Sequence, residues 1–95
     1  MIRLECCRRG PNIPALWWSG TEVSARMILE ECVREFGVGY APYYLESGKA
    51  IVVTDHYGTR SHASPGDYII MDPLHGLRAL SKEDFKREFK AEDYG

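Results

Sequence analysis

Three cysteines (Cys6, Cys7, Cys32), three histidines (His56, His62, His75) and three aspartates beside turn residues (Asp55, Asp67, Asp72) are the reactive or metal-binding side chains to weigh first. A zinc site needs three or four ligands converging in space. The histidines all fall in or beside expected turns, and no C-x-x-C pair completes a ligand set, so neither a metal nor another cofactor is expected. A nucleophile at Cys6 or Cys7 would need a base within hydrogen-bond reach and an oxyanion pocket, and no catalytic signature surrounds either residue. The serines lack G-x-S-x-G, and the glycines form neither G-x-G-x-x-G nor a P-loop. The aspartates have a simpler use, because a carboxylate at a strand end accepts hydrogen bonds from turn amides. No enzyme is expected.

The stretch Ala63-Ser64-Pro65-Gly66-Asp67-Tyr68-Ile69-Ile70-Met71-Asp72 shows how such residues are placed. Proline at the second and glycine at the third position of Ser64–Asp67 specify a type II turn, since proline presets φ and glycine accepts the positive φ that follows. The turn launches a strand over 68–71. Replacing Gly66 with alanine is expected to cost on the order of 1 kcal/mol, whereas Asp67→Asn should do little.

Around this stretch the pattern alternates between two periods. Residues 13–18, IPALWW, read as a strand that stops at Ser19-Gly20. Ala25, Ile28, Leu29, Cys32, Val33 and Phe36 then recur at helical spacing, with a capping box expected from Ser19 and Glu22 and a stop at Gly37. A loop over 37–44 enters a strand near Tyr43. Residues 50–54, AIVVT, form a β-branched strand, and the turn DHYGTR leads to another beginning near Arg60. The segment DPLHG turns the chain into a strand over 77–80, after which Ser81 and Asp84 cap a C-terminal helix bearing Phe85 and Phe89 on one face. The expected fold is therefore α+β. It comprises a small curled antiparallel sheet of four to six short strands, an amphipathic helix after the first strand and a second helix at the C-terminus.

Ninety-five residues, 44% of them apolar and 27% charged, make one domain spanning 1–95. The net charge of −2 supplies no global basic field for phosphate contacts, so direct nucleic-acid binding is not expected. The odd cysteine count without framework spacing fits a reducing cytoplasm. Neither a signal peptide nor a run of about 18 apolar residues is seen, so no membrane association is expected.

Aromatics are the remaining resource. Adjacent tryptophans on one strand point to opposite faces, so one of Trp17 and Trp18 is expected in the core and the other under a second cover. Tyr40, Tyr43 and Tyr44 lie where Gly37, Gly39 and Pro42 discourage helix, next to the acidic end of the first helix. With Glu31, Glu35 and Asp55 they form the expected partner-binding patch, in which aromatic anchors carry a negative rim suited to a basic protein surface.

RRGPNIPALWWSG followed by a helix, and then AIVVTDHYGTRSHASPGDYIIMDPLHGLRALSKEDFKREF, resemble a class of small phage and prophage proteins. The shared features are a strand ending in Trp-(Ser/Thr)-Gly, a helix, a Gly-Asp-(Tyr/Trp)-Ile-Ile strand, a glycine and a closing phenylalanine-containing helix. Trp18, Ser19, Gly20, Gly66, Asp67, Tyr68, Ile69, Ile70, Gly76 and Phe85 match, while residues 77–84, LRALSKED, depart from the usual pattern. The resemblance carries no activity over. Together with a short chain in which no catalytic motif is found, a phage origin leads to the expectation of a non-enzymatic binding protein acting in the host bacterial cytoplasm on a host protein or nucleoprotein complex, most concretely a counter-defence inhibitor of the anti-CRISPR kind. A self-associating assembly accessory, a homodimer through its aromatic strand or through an outermost AIVVT strand, is the second reading.

Overall fold

The structure, a computed structural model, describes residues 2–6, 13–37 and 41–89. The elements run β1 (Ile2–Cys6), β2 (Ile13–Trp17), α1 (Glu22–Phe36), β3 (Tyr43–Leu45), β4 (Ala50–Thr54), β5 (Arg60–Ala63), β6 (Tyr68–Asp72), β7 (Gly76–Leu80) and α2 (Lys82–Glu88). The fold is α+β, with one helix after the opening strands and one closing the described chain. The strands divide between two antiparallel sheets, β1-β2-β6-β7 and β3-β4-β5, where the sequence leads to one. The sheets are joined by a bridge between Asp55 and Gly76. Residues 2–6, unassigned by the sequence reading, pair along their whole length with β2, from Ile2 opposite Trp17 to Cys6 opposite Ile13.

The four-stranded sheet is covered on both faces. Leu16, Trp18, Ile69, Met71 and Leu77 pack with Ala25, Ile28 and Cys32 of α1 and with Ile51, Val53 and Ala63 of the smaller sheet. Ala15, Ile70 and Leu80, on the opposite face by strand alternation, pack with Phe85 and Phe89. Tyr68 stacks on Phe85 with ring centroids 4.1 Å apart. The tryptophan expectation holds in this form: Trp18 has no exposed surface, and Trp17 is half-buried.

α1 begins two residues later than the Ser19–Glu22 capping box would place it. Thr21 is the N-cap, its Oγ1 accepting from the Ser24 amide at 3.1 Å. The Ser19 hydroxyl turns instead to Ser24 Oγ, 2.9 Å away. Gly37 ends the helix at φ 85°, its amide donating to the Val33 carbonyl. Ser81 caps α2 as expected, accepting from the Asp84 amide at 3.2 Å.

The turn over 64–67 forms with Gly66 at φ 93° and the Asp67 amide donating to the Ser64 carbonyl at 2.9 Å. Asp67 Oδ2 accepts from the Ser64 amide at 2.8 Å, so the carboxylate braces its own turn. The two tryptophans clamp that turn. Gly66 N–H donates to the Trp18 carbonyl, the Trp18 amide donates to the Asp67 carbonyl, and Trp17 Nε1–H donates to the Gly66 carbonyl at 3.1 Å. Gly20 completes the fit, since a Cβ there would lie 2.7 Å from Pro65 Cβ. Trp-Trp-Ser-Gly and Ser-Pro-Gly-Asp, far apart in sequence, are thus two halves of one packed corner.

β4 is the central strand of the smaller sheet, and Ala50, Ile51, Val52 and Val53 are all buried. The AIVVT segment therefore offers no outer edge for self-association. Among the described residues, β3 and β5 are the outer strands of that sheet.

Candidate functional site

β3 is three residues long and alternates in direction. Tyr44 turns inward, its ring edge-on to Trp18 at 6.1 Å between centroids. Tyr43 and Leu45 turn outward and keep 45% and 37% of their surface exposed. By register, Tyr43 stands beside Val52, and Val52 beside His62 of β5, so Tyr43, Val52 and His62 form one cross-strand row on the outer face. His62 lies within β5, not in a turn.

A groove of about 330 Å³ runs beside β3, lined by Glu22, Arg26, Leu29, Pro42, Tyr43, Tyr44 and Glu46. No β4 or β5 residue contributes to its lining, which comes from α1, from β3 and from the residues flanking β3. Glu22 Oε2 accepts from Arg26 at 2.9 Å across one helical turn. Glu46 forms no ion pair among the described residues. The groove is thus lined by Leu29, Pro42 and two tyrosines, with two carboxylates against one guanidinium.

The patch expected from the sequence is only partly assembled. Tyr43 is exposed on the outer strand, while Tyr44 is half-buried against Trp18 and contributes mainly to the core. Glu31 keeps 8% of its surface and pairs with Arg34, because its position on α1 faces inward beside Cys32. It cannot serve as a solvent-facing acidic rim. Glu35 is exposed near the other end of α1, where Phe36 packs edge-on against His56 at 6.0 Å. Asp55 belongs to that end too, and its Oδ1 is taken by the Tyr57 and Thr59 amides at 2.8 and 2.9 Å. It braces the β4–β5 turn. Tyr40 lies outside the described residues.

A second concavity, which the sequence reading does not anticipate, forms where the β4–β5 and β6–β7 turns meet. Asp55, Tyr57, His75 and Arg78 enclose about 270 Å³. Tyr57 Oη and His75 Nδ1 are 3.2 Å apart, the His56 amide donates to the His75 carbonyl, and Arg78 pairs with Glu88 at 3.0 Å. Both charged groups of this cleft already have protein partners, which makes it a joint between turns. Tyr57 and His75 are 18 residues apart, and no local signal links them.

The one cysteine whose side chain is described is unsuited to nucleophilic work. Burial pushes the Cys32 thiol up to about 12, and the nearby Glu31 and Glu35 charges push in the same direction. A raised folded-state pKa means that the folded protein holds the proton more tightly than the unfolded chain. This contribution to stability is complete below about pH 9 and is lost as pH rises toward about 12. Denaturation midpoints followed across that window should fall, and Cys32→Ala should flatten the fall. Peptide mapping after alkylation of the native protein should find Cys32 unmodified.

Among the described residues, no group of three or more histidine, cysteine, aspartate or glutamate side chains is placed to hold a metal ion. No helix among them is long and apolar enough to cross a membrane. No protein-family model, curated protein or solved structure matches this chain.

Proposed function

We propose that this chain is a non-enzymatic binding protein of phage or prophage origin that occupies a host macromolecule in the bacterial cytoplasm, as counter-defence inhibitors of the anti-CRISPR kind do. The observation that carries the binding reading is the outer face of β3. Tyr43 and Leu45 leave large apolar surface in water beside a groove with an excess carboxylate, and tyrosine anchors at a partly hydrophobic patch are what protein interfaces are built around. The phage origin rests on the resemblance of Trp18-Ser19-Gly20 and Gly66–Ile70 to small phage proteins, and the counter-defence role on that origin together with a short chain in which no catalytic motif is found. The partner is a host protein or nucleoprotein complex that presents a basic surface to Glu22 and Glu46. Direct nucleic-acid contact is no part of this reading, given the net charge of −2.

The test is capture from lysates of bacterial hosts carrying defined defence systems, with the wild-type chain and a Tyr43→Ala/Leu45→Lys variant side by side. The variant is expected to bind the captured complex at least tenfold more weakly, or about 1.4 kcal/mol, with an unchanged circular dichroism spectrum. Equal affinity in the folded variant would move the site off β3. Failure to capture any defence component, together with unimpaired host immunity in cells expressing the chain, would remove the counter-defence role.

A further inference from the structure

We infer that the partner segment recognised here is an extended strand that adds to the free edge of β3, carrying an apolar side chain opposite Tyr44 and a basic one two positions away, toward Glu46. The inference rests on the proposed binding role and specifies its mode. Among the described residues, β3 is hydrogen-bonded on one side only, to β4. A strand paired on one side keeps alternate backbone N–H and C=O groups pointing away from its sheet, a template for another chain.

Beside this edge lies open space. α1 stands across the groove without closing it, and Leu29, Pro42 and Tyr44 line its apolar part, with Glu22, Arg26 and Glu46 around them. In an added strand, residues two apart face the same side. The residue paired with Tyr44 therefore points into the groove toward Leu29 and Pro42, and the one two positions along reaches Glu46. The residues between them lie beside Tyr43 and Leu45 on the outer face. The charge choice follows from two carboxylates against one guanidinium, with the Arg26 charge already engaged by Glu22.

The probe is a capped peptide, Thr-Lys-Thr-Val-Thr-Lys-Thr, whose palindromic order presents the same pattern in parallel and antiparallel pairing. Binding is expected to shift the amide resonances of residues 43–46 and to slow their hydrogen exchange. The peptide with glutamate in place of both lysines should bind at least tenfold more weakly, and Glu46→Lys should abolish that preference. N-methylation of alternate residues blocks one edge of the peptide at a time. Strand addition requires one methylated set to lose binding and the other to keep it. Equal loss from both sets, no perturbation at 43–46, or no binding at all would overturn the inference. So would a concentration-dependent dimer whose contacts occupy β3, which would make a second copy of this chain the occupant. The peptide measurement needs no host component. Peptide binding without host capture would remove the counter-defence role alone, and host capture without the one-edge signature would remove strand addition alone.

Discussion

Trp18→Ala is expected to lower the stability of the fold by about 3–5 kcal/mol, the range for deleting a buried large aromatic ring. Trp18 has no exposed surface and is the largest fully buried side chain among the described residues. Its ring packs where the four-stranded sheet, α1 and β3 meet, and its contact with Tyr44 at 6.1 Å ties β3 to that core. Its Nε1–H donates to the Thr21 carbonyl at 2.9 Å, beside the cap of α1. Truncation would leave a cavity that three elements cannot all collapse into and would remove the indole's hydrogen bond beside the helix cap. Because small domains hold only about 5–15 kcal/mol in total, the variant should unfold at markedly lower urea concentration. Trp17→Ala, at a half-buried position with one hydrogen bond to the Gly66 carbonyl, should cost clearly less. Similar losses from the two variants would show that the Trp18 site relaxes.

Gly76→Ala carries the second large effect. Gly76 sits at φ 94°, so any side chain there is strained. Space is also lacking: an added Cβ would lie 2.7 Å from both the backbone nitrogen and Cδ2 of His56, and 3.0 Å from Asp55 Cα. A side-chain end could swing aside, but the His56 nitrogen is pinned by its hydrogen bond to the His75 carbonyl at 2.9 Å. The substitution must therefore push apart the two turns that join the sheets. Gly66→Ala serves as the internal control. Gly66 has nearly the same φ, 93°, and nothing lies within 4 Å of its would-be Cβ, so only the conformational cost of about 1 kcal/mol remains. Gly76→Ala should exceed it by about 1–3 kcal/mol, the usual cost of overpacking. Chemical denaturation of both variants under one set of conditions decides the matter, and equal losses would show that the contact with His56 is relieved.

Much of the local structure was legible because its signals are local. The helical spacing from Ala25 to Phe36 and the glycine at 37 mark α1, and Ser81 marks the start of α2. Pro65-Gly66 names its turn, and the β-branched run over 50–54 names a strand. At the N-terminus, too, Ile2, Leu4 and Cys6 alternate with Arg3 and Glu5 in the period of the strand that forms there. The start of α1 is ambiguous by two residues in the sequence because Ser19 and Thr21 are both competent caps, and the folded chain uses Thr21, whose Oγ1 accepts from the Ser24 amide.

The sequence by itself determined most of the helix, strand and turn segments from residue 13 onward, because periodicity, capping and turn chemistry act over a few residues. Which strands became neighbours was decided by the tertiary structure. AIVVT reads the same as an edge or as a central strand, and only pairing with β3 and β5 buries it. Glu31 reads as one more acid on a polar face, yet in the folded chain it keeps 8% of its surface, next to the core residue Cys32. Tyr43 and Tyr44 are adjacent and chemically alike; strand alternation sends one toward Trp18 and the other into solvent. Whether a side chain anchors the core or a partner depends on contacts between segments remote in sequence, and no local window contains those contacts.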